Sequence, residues 1–220
     1  MKKNKDVQIK AIIFDVGGVL ALGKDLGQIR TGRTKGVHEL IAKEFGISSD
    51  QWIDSLGKDY EGIITGDISE KEFLTLLSRT FDKKPSFVKN LFLKPYKFNF
   101  RPNIPLYSFA LKLKKKGYKI AILSDQHYFS KQVLMSRKLI NPFDPVIISC
   151  DVGMRKPNPK IYSLTLKKLG LKPQECVFID NQEWNLVPAR KFGIQTILFK
   201  SNKQLFKQLF KQLLILGVGV

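Results

Sequence analysis

Four short stretches of this 220-residue chain set polar side chains directly after apolar runs, or beside a restraining proline. The first is Ile13-Phe14-Asp15-Val16-Gly17-Gly18. A carboxylate between a buried strand and a glycine turn stands at a sheet edge among free backbone N–H groups, and those of Gly17 and Gly18 can hold a phosphate. Such a carboxylate can attack phosphorus or bind a metal. The second stretch, Ile122-Leu123-Ser124-Asp125, offers a hydroxyl able to donate to a phosphoryl oxygen, with Asp125 beside it. The third, Gly153-Met154-Arg155-Lys156-Pro157-Asn158-Pro159, puts Lys156 in the extended conformation that a residue before proline prefers. From there its ammonium can offset negative charge on a nucleophile and a phosphate. The fourth, Val177-Phe178-Ile179-Asp180-Asn181, places a carboxylate that would complete an oxygen cage for Mg²⁺. Singly, each has an ordinary reading as well, because Asp and Ser cap helices and most lysines are solvated.

The elements that must position these residues can be read from apolar periodicity. Buried strands are predicted over 11–14, 118–123, 146–149, 175–179 and 196–199, and helices over 106–116, 129–137, 159–169 and 185–192. Gly117, Gly170 and Gly193 stop three of these helices. Apolar strands alternating with helices give a parallel sheet covered on both faces, whose ligands bind beyond the carboxyl ends of the strands. Asp15, Ser124 and Asp180 all stand at such ends, so one shared site is the natural reading. Residues 21–99 differ: helices are predicted over 37–45, 52–64 and 69–81, the last opened by a Ser-Glu-Lys-Glu capping box, and no strand is evident. The fold class is therefore α/β, a Rossmann-like core of residues 1–20 and 100–220 with an all-helical insert over 21–99. A Lys-Gln-Leu-Phe repeat over 203–214 predicts a final amphipathic helix that packs on the sheet, with a membrane-surface role as the sharper alternative.

Composition narrows the function classes. An apolar share of 43% can build a core, so general disorder is not expected. No apolar run approaches the roughly 18 residues of a membrane span. The basic start is followed by a short apolar stretch that Asp15 interrupts, which argues against an export signal. Cys150 and Cys176 form no CxxC and have no histidine at ligand spacing, so they read as reduced buried thiols of a cytoplasmic protein. The net charge of +19 favours anionic partners. Its lysines are spread along the chain without a nucleic-acid-binding motif, so a solvated basic surface is the first reading. Arg30, Arg33 and Lys35 follow the first stretch, where a closing insert could use them on an anion.

Taken together, FDVGGVL, LSD, GMRKPNPKIY and FIDNQEWN followed by Ala189 and Gly193 resemble the haloacid dehalogenase (HAD) superfamily, and the likeness covers nearly the whole core. The helical insert is similar to the C1 cap of the subgroup holding haloacid dehalogenases and many small-metabolite phosphatases. The resemblance implies that Asp15 is the nucleophile, forming an aspartyl-phosphate. It implies that Ser124 orients the phosphate and that Lys156 steadies the charges. It implies Mg²⁺ held by Asp15, Asp180 and the backbone carbonyl of Gly17, with Asn181 in the place of the family's second acid. The partner so implied is a small phosphorylated metabolite, handled by a monomer or homodimer.

One departure matters. The usual phosphatase pattern carries a second aspartate two residues after the nucleophile as general acid and base, and this chain has Gly17. Such help is worth about 10²–10⁴-fold in rate. A subgroup with FDxG at this point includes sugar-phosphate phosphatases, so Gly17 does not itself mean lost activity. Asp125, His127 and Glu183 are the nearby polar candidates for a substitute. Two other functions stay open at this level. One is a 2-haloacid dehalogenase, which would use Asp15 without metal. The other is a binding protein that keeps the fold and uses its basic surface on nucleic acid or protein.

Overall fold

The computed structural model describes residues 8–23, 37–57 and 59–215. Arg30, Arg33, Lys35, the chain start and residues 217–220 lie outside them. The strands are β1 (Ala11–Phe14), β2 (Ala21–Gly23), β3 (Phe100–Pro102), β4 (Lys119–Ser124), β5 (Val146–Ile148), β6 (Cys176–Asp180) and β7 (Gln195–Leu198). Five helices lie between β2 and β3: α1 (Val37–Phe45), α2 (Ser49–Leu56), α3 (Asp59–Thr65), α4 (Glu70–Thr80) and α5 (Pro85–Asn99). The rest follow as α6 (Ile104–Lys115), α7 (Tyr128–Leu134), α8 (Arg137–Ile140), α9 (Ser149–Val152), α10 (Pro159–Leu169), α11 (Glu183–Lys191) and α12 (Asn202–Ile215).

Five strands form one parallel sheet in the order β5-β4-β1-β6-β7. Its interior strands are buried on both faces, as their continuous apolar sequences require. Successive residues of β1 point to opposite faces. Ile12 and Phe14 join the cluster that continues into the insert, whereas Ala11 and Ile13 pack with Ile161, Tyr162, Leu186 and Ala189 of α10 and α11. The chain leaves β1 toward β4 and β5 and later returns to β1's other side as β6 and β7, so β1 borders the switch in strand order. That crevice is where open α/β sheets bind ligands.

The insert follows its sequence in part. Ser69 and Glu72 close the predicted capping box at α4. The single helix expected over 52–64 is two, because Gly57 takes a left-handed φ of 46° and ends α2. Helix α5 was not evident in the sequence, and a short antiparallel pair, β2 with β3, stands where no strand was expected. The helix expected over 129–137 is likewise α7 and the separate turn α8. An aromatic core of Phe45, Trp52, Phe73, Phe81 and Phe92 holds the insert together. It runs on into α7, where the Phe92 and Phe129 rings lie 4.9 Å apart. Gly66 also touches the sheet side. A Cβ there would stand 2.2 Å from the carbonyl oxygen of Cys150, and its φ of +83° independently favours glycine. The tail helix α12 buries Leu205 and Leu209, and Phe206 rests 4.7 Å from Phe109. It thus packs on the core as expected, and no helix among the described residues is long and apolar enough to cross a membrane.

Candidate active site

Three adjacent strands deliver the site. Asp15 follows β1, Ser124 ends β4 and Asp180 ends β6, with β1 between the other two. The spacing of about 4.8 Å between strands sets Ser124 and Asp180 on either side of Asp15. The Asp15 N–H donates to the Ile179 carbonyl at 2.9 Å, carrying the ladder one residue past β1 and fixing that residue at the rim. The turn after it depends on Gly18, which has a φ of +79°; a Cβ there would collide with the Asn181 amide at 2.3 Å. Asn181 therefore lies against the Gly17-Gly18 turn, beside Asp180.

Lys156 enters from the loop after α9 and is 2% exposed. Its ammonium stands 3.1 Å from Asp15 Oδ1 and 2.7 Å from Asp180 Oδ2, and donates to the Leu123 carbonyl at 3.4 Å. These three acceptors match the three N–H bonds of the ammonium. Its Nζ also lies 5.5 Å from the centre of the Phe178 ring. The Lys156 N–H donates to Asp125 Oδ1 at 3.0 Å, so Asp125 anchors the segment, with Arg155 Nε 3.7 Å from its other oxygen. Asp180 is held from all sides: the Gln182 N–H donates to Oδ1 at 2.7 Å and Asn185 Nδ2 to Oδ2 at 3.1 Å. Asn185 is in turn fixed by Tyr162, whose hydroxyl donates to its carbonyl at 2.7 Å.

The charges do not balance. Two buried carboxylates share one buried ammonium. Burial pushes the Asp15 carboxyl up to about 7; the neighbouring Asp180 adds to the rise, while Lys156 and a hydrogen bond from Ser124 oppose it. Burial works against the Lys156 charge, yet Asp15, Asp180 and Asp125 together hold the ammonium well above its ordinary range. Burial likewise raises Asp125. A further cation would relieve this excess of negative charge. The donors present suit Mg²⁺, which binds through one or two carboxylates and completes its shell with water and substrate oxygens. Among the described residues no three His, Cys, Asp or Glu side chains form a cage of their own. One more hard oxygen, Asn185 Oδ1, is buried without a hydrogen-bond partner.

The sequence-predicted residues Asp15, Gly17, Gly18, Ser124, Asp125, Lys156, Asp180 and Asn181 thus gather at one rim. The three expected substitutes for the missing acid behave differently. Asp125 is engaged by Lys156 and Arg155. Glu183 is exposed and pairs with Arg190. His127 is buried, bonded to the Tyr96 hydroxyl at 3.0 Å, and accepts the Ser130 N–H at the start of α7. Gln126, which no sequence motif singles out, donates from Nε2 to Ser124 Oγ at 2.9 Å. Its only signal was its place two residues after Ser124.

A parallel α/β sheet thus carries a buried carboxylate pair and a lysine at its carboxyl rim, beside the switch in strand order. The chain belongs to the haloacid dehalogenase-like hydrolases, whose family model matches residues 9–193. Bifunctional epoxide hydrolase 2 of Sus scrofa is 30% identical over 92% of this chain, and the match spans only 38% of that longer protein. Glyceraldehyde 3-phosphate phosphatase of Methanopyrus kandleri is 28% identical over 89% of this chain and 85% of its own length. A HAD family enzyme of Bacteroides thetaiotaomicron, solved in complex with magnesium and inorganic phosphate, shares the fold at a TM-score of 0.69 and 23% identity, covering 90% of this chain and 99% of that one.

Proposed function

We propose that this chain is a Mg²⁺-dependent phosphatase that cleaves a phosphate monoester of a small metabolite through an aspartyl-phosphate on Asp15. The observation that carries the reading is the pair of carboxylates, Asp15 and Asp180, held by the single buried ammonium of Lys156. The phosphatase among the relatives and the magnesium and phosphate bound in the B. thetaiotaomicron enzyme support it.

In this reading Asp15, Asp180 and the Gly17 carbonyl hold Mg²⁺, with Asn181 and Asn185 beside them. The ion, when bound, neutralises charge on the transferring phosphoryl group. Asp15 attacks phosphorus in line with the leaving oxygen, and charge stabilisation supplies most of the catalysis. Ser124 and the Gly17-Gly18 backbone turn the phosphate toward Asp15, and Lys156 opposes the rise that burial imposes on the Asp15 carboxyl and balances the equatorial oxygens. Asp125 positions Lys156 through the backbone. Residues 1–20 and 100–220 form the catalytic core, and 21–99 form a C1-type cap that sets the substrate. A cytoplasmic monomer or homodimer completes the proposal.

Turnover of p-nitrophenyl phosphate with and without Mg²⁺, compared with Asp15→Asn, tests it. The expected result is Mg²⁺-dependent turnover that the variant lacks. Metal-independent halide release from a 2-haloacid, with no phosphate release, would instead mark the dehalogenase.

A further inference from the structure

Gly17 leaves vacant the position where the family pattern has its acid, and the structure shows what borders that space. Gln126 Nε2 lies 3.8 Å from the point a Cβ on Gly17 would occupy. Gln126 is 5% exposed. Its backbone is held twice by Ser149: the Gln126 N–H donates to Ser149 Oγ at 2.9 Å, and the Ser149 hydroxyl donates back to the Gln126 carbonyl at 3.2 Å. Its side-chain amide donates to Ser124 Oγ. Ser124 in turn lies beside Asp15 and helps to hold its carboxyl down against the effect of burial. Gln126 is thus a rigid carboxamide between the Gly17 turn and the residue that contacts the nucleophile.

A carboxamide donates and accepts but carries no proton that titrates near neutrality. It cannot protonate a leaving group. It can hold a water in line, as glutamine does in GTP hydrolysis. We infer that Gln126 stands in for the missing acid at position 17 by orienting the attacking water rather than by moving a proton, so that the site takes phosphate esters with acidic leaving groups, such as phenols or enols. The inference rests on the phosphatase reading above.

The two steps balance as follows. An Asp15 oxygen bonds to phosphorus as the bond to the leaving oxygen breaks; that oxygen departs as an anion and takes any proton from solvent. Water then bonds to phosphorus as the Asp15–phosphorus bond breaks. The two water protons end on the released dihydrogen phosphate, and Asp15 returns as carboxylate.

The experiment is rapid-quench kinetics on the full chain with Mg²⁺, comparing Gln126→Leu with the unsubstituted protein on p-nitrophenyl phosphate. The unsubstituted protein is also tested on a series of phenyl and alkyl phosphates. A lost water-orienting dipole should lower kcat about 100–1,000-fold, the range of one removed preorganised donor. Phosphorylation persists in the variant, so a burst of about one p-nitrophenol per site appears and phosphoenzyme accumulates. In the unsubstituted protein kcat/KM should fall by at least about 100-fold from p-nitrophenyl to alkyl esters, the span that general acid help would have covered. An unchanged kcat in the variant, a lowered kcat without burst or phosphoenzyme, or equal rates along the series would overturn the inference. The series needs no variant, so it decides even if Gln126→Leu fails to fold. Absence of all turnover in the unsubstituted protein would overturn the phosphatase reading and this inference together.

Discussion

Lys156 stands closer to Asp180 than to Asp15, at 2.7 Å against 3.1 Å, although both carboxylates are buried beside it. Asp180 is held by two further donors, the Gln182 N–H and Asn185 Nδ2, and is structurally committed, whereas Asp15 has Ser124 beside it as well as the lysine. The ammonium therefore works as a fixed brace for one carboxylate and as an adjustable partner for the other. In the proposed reaction this asymmetry would let Asp15 exchange the lysine for a phosphoryl group while Asp180 stays in place.

Lys156→Met tests the brace. The thioether keeps the volume but leaves two carboxylates buried without a counter-charge. Breaking a buried pair by removing one partner costs about 3–5 kcal/mol. Urea unfolding of metal-free protein should show a loss of that order, and added Mg²⁺ should recover part of it. Equal stability of variant and parent without metal would show that the lysine does not brace the site.

Acid should destabilise the protein through its two histidines. Trp52 Nε1 donates to His38 Nδ1 at 3.0 Å, so His38 sits neutral, with its proton on the nitrogen 2.7 Å from the Tyr60 hydroxyl. Burial pushes His38 down to about 4, and burial with the nearby His38 pushes His127 down to about 3. Unfolded, each titrates near 6.5. Between that value and the folded one, the unfolded chain binds protons that the fold refuses. Stability is then full above pH 6.5 and falls with pH, by up to about 1.4 kcal/mol per unit per histidine. Asp15, raised from 3.8 to about 7, binds its proton in the fold and acts in the opposite sense in metal-free protein. The difference between the parent and His127→Gln isolates the histidine. The parent should lose more between pH 6.5 and 4, and parallel urea-midpoint curves would contradict this.

Gly66→Ala tests how the insert is seated. The new methyl would meet the Cys150 carbonyl at 2.2 Å on a backbone with φ of +83°. Strain at such a position is worth about 1–3 kcal/mol. The variant should melt earlier and bind substrate more weakly, as a rise in KM larger than its change in kcat. A lowered kcat at constant KM would mean that Gly66 acts on the chemistry rather than on the seating of α3.

Much of this arrangement was legible. Asp15, Ser124 and Asp180 each end an unbroken apolar run, and a parallel sheet leaves such residues at one rim whatever their distance in the chain. Lys156 was legible through Pro157 and its place before a helix. Helix α5 was hidden by Pro95, whose missing N–H breaks the helical pattern. Strands β2 and β3 are three residues each, too short for alternation to register. Gln126 was illegible for another reason. Its meaning comes from Ser149 and Gly17, which only the fold brings to it.

The most direct test is acid quenching of the enzyme during turnover of a ³²P-labelled phosphate monoester with Mg²⁺, followed by mapping of the label. Label that is stable in acid, released by hydroxylamine and confined to the peptide carrying Asp15 is the predicted result, and it should vanish in Asp15→Asn. Label on another residue, or sustained phosphate release by Asp15→Asn, would contradict the account.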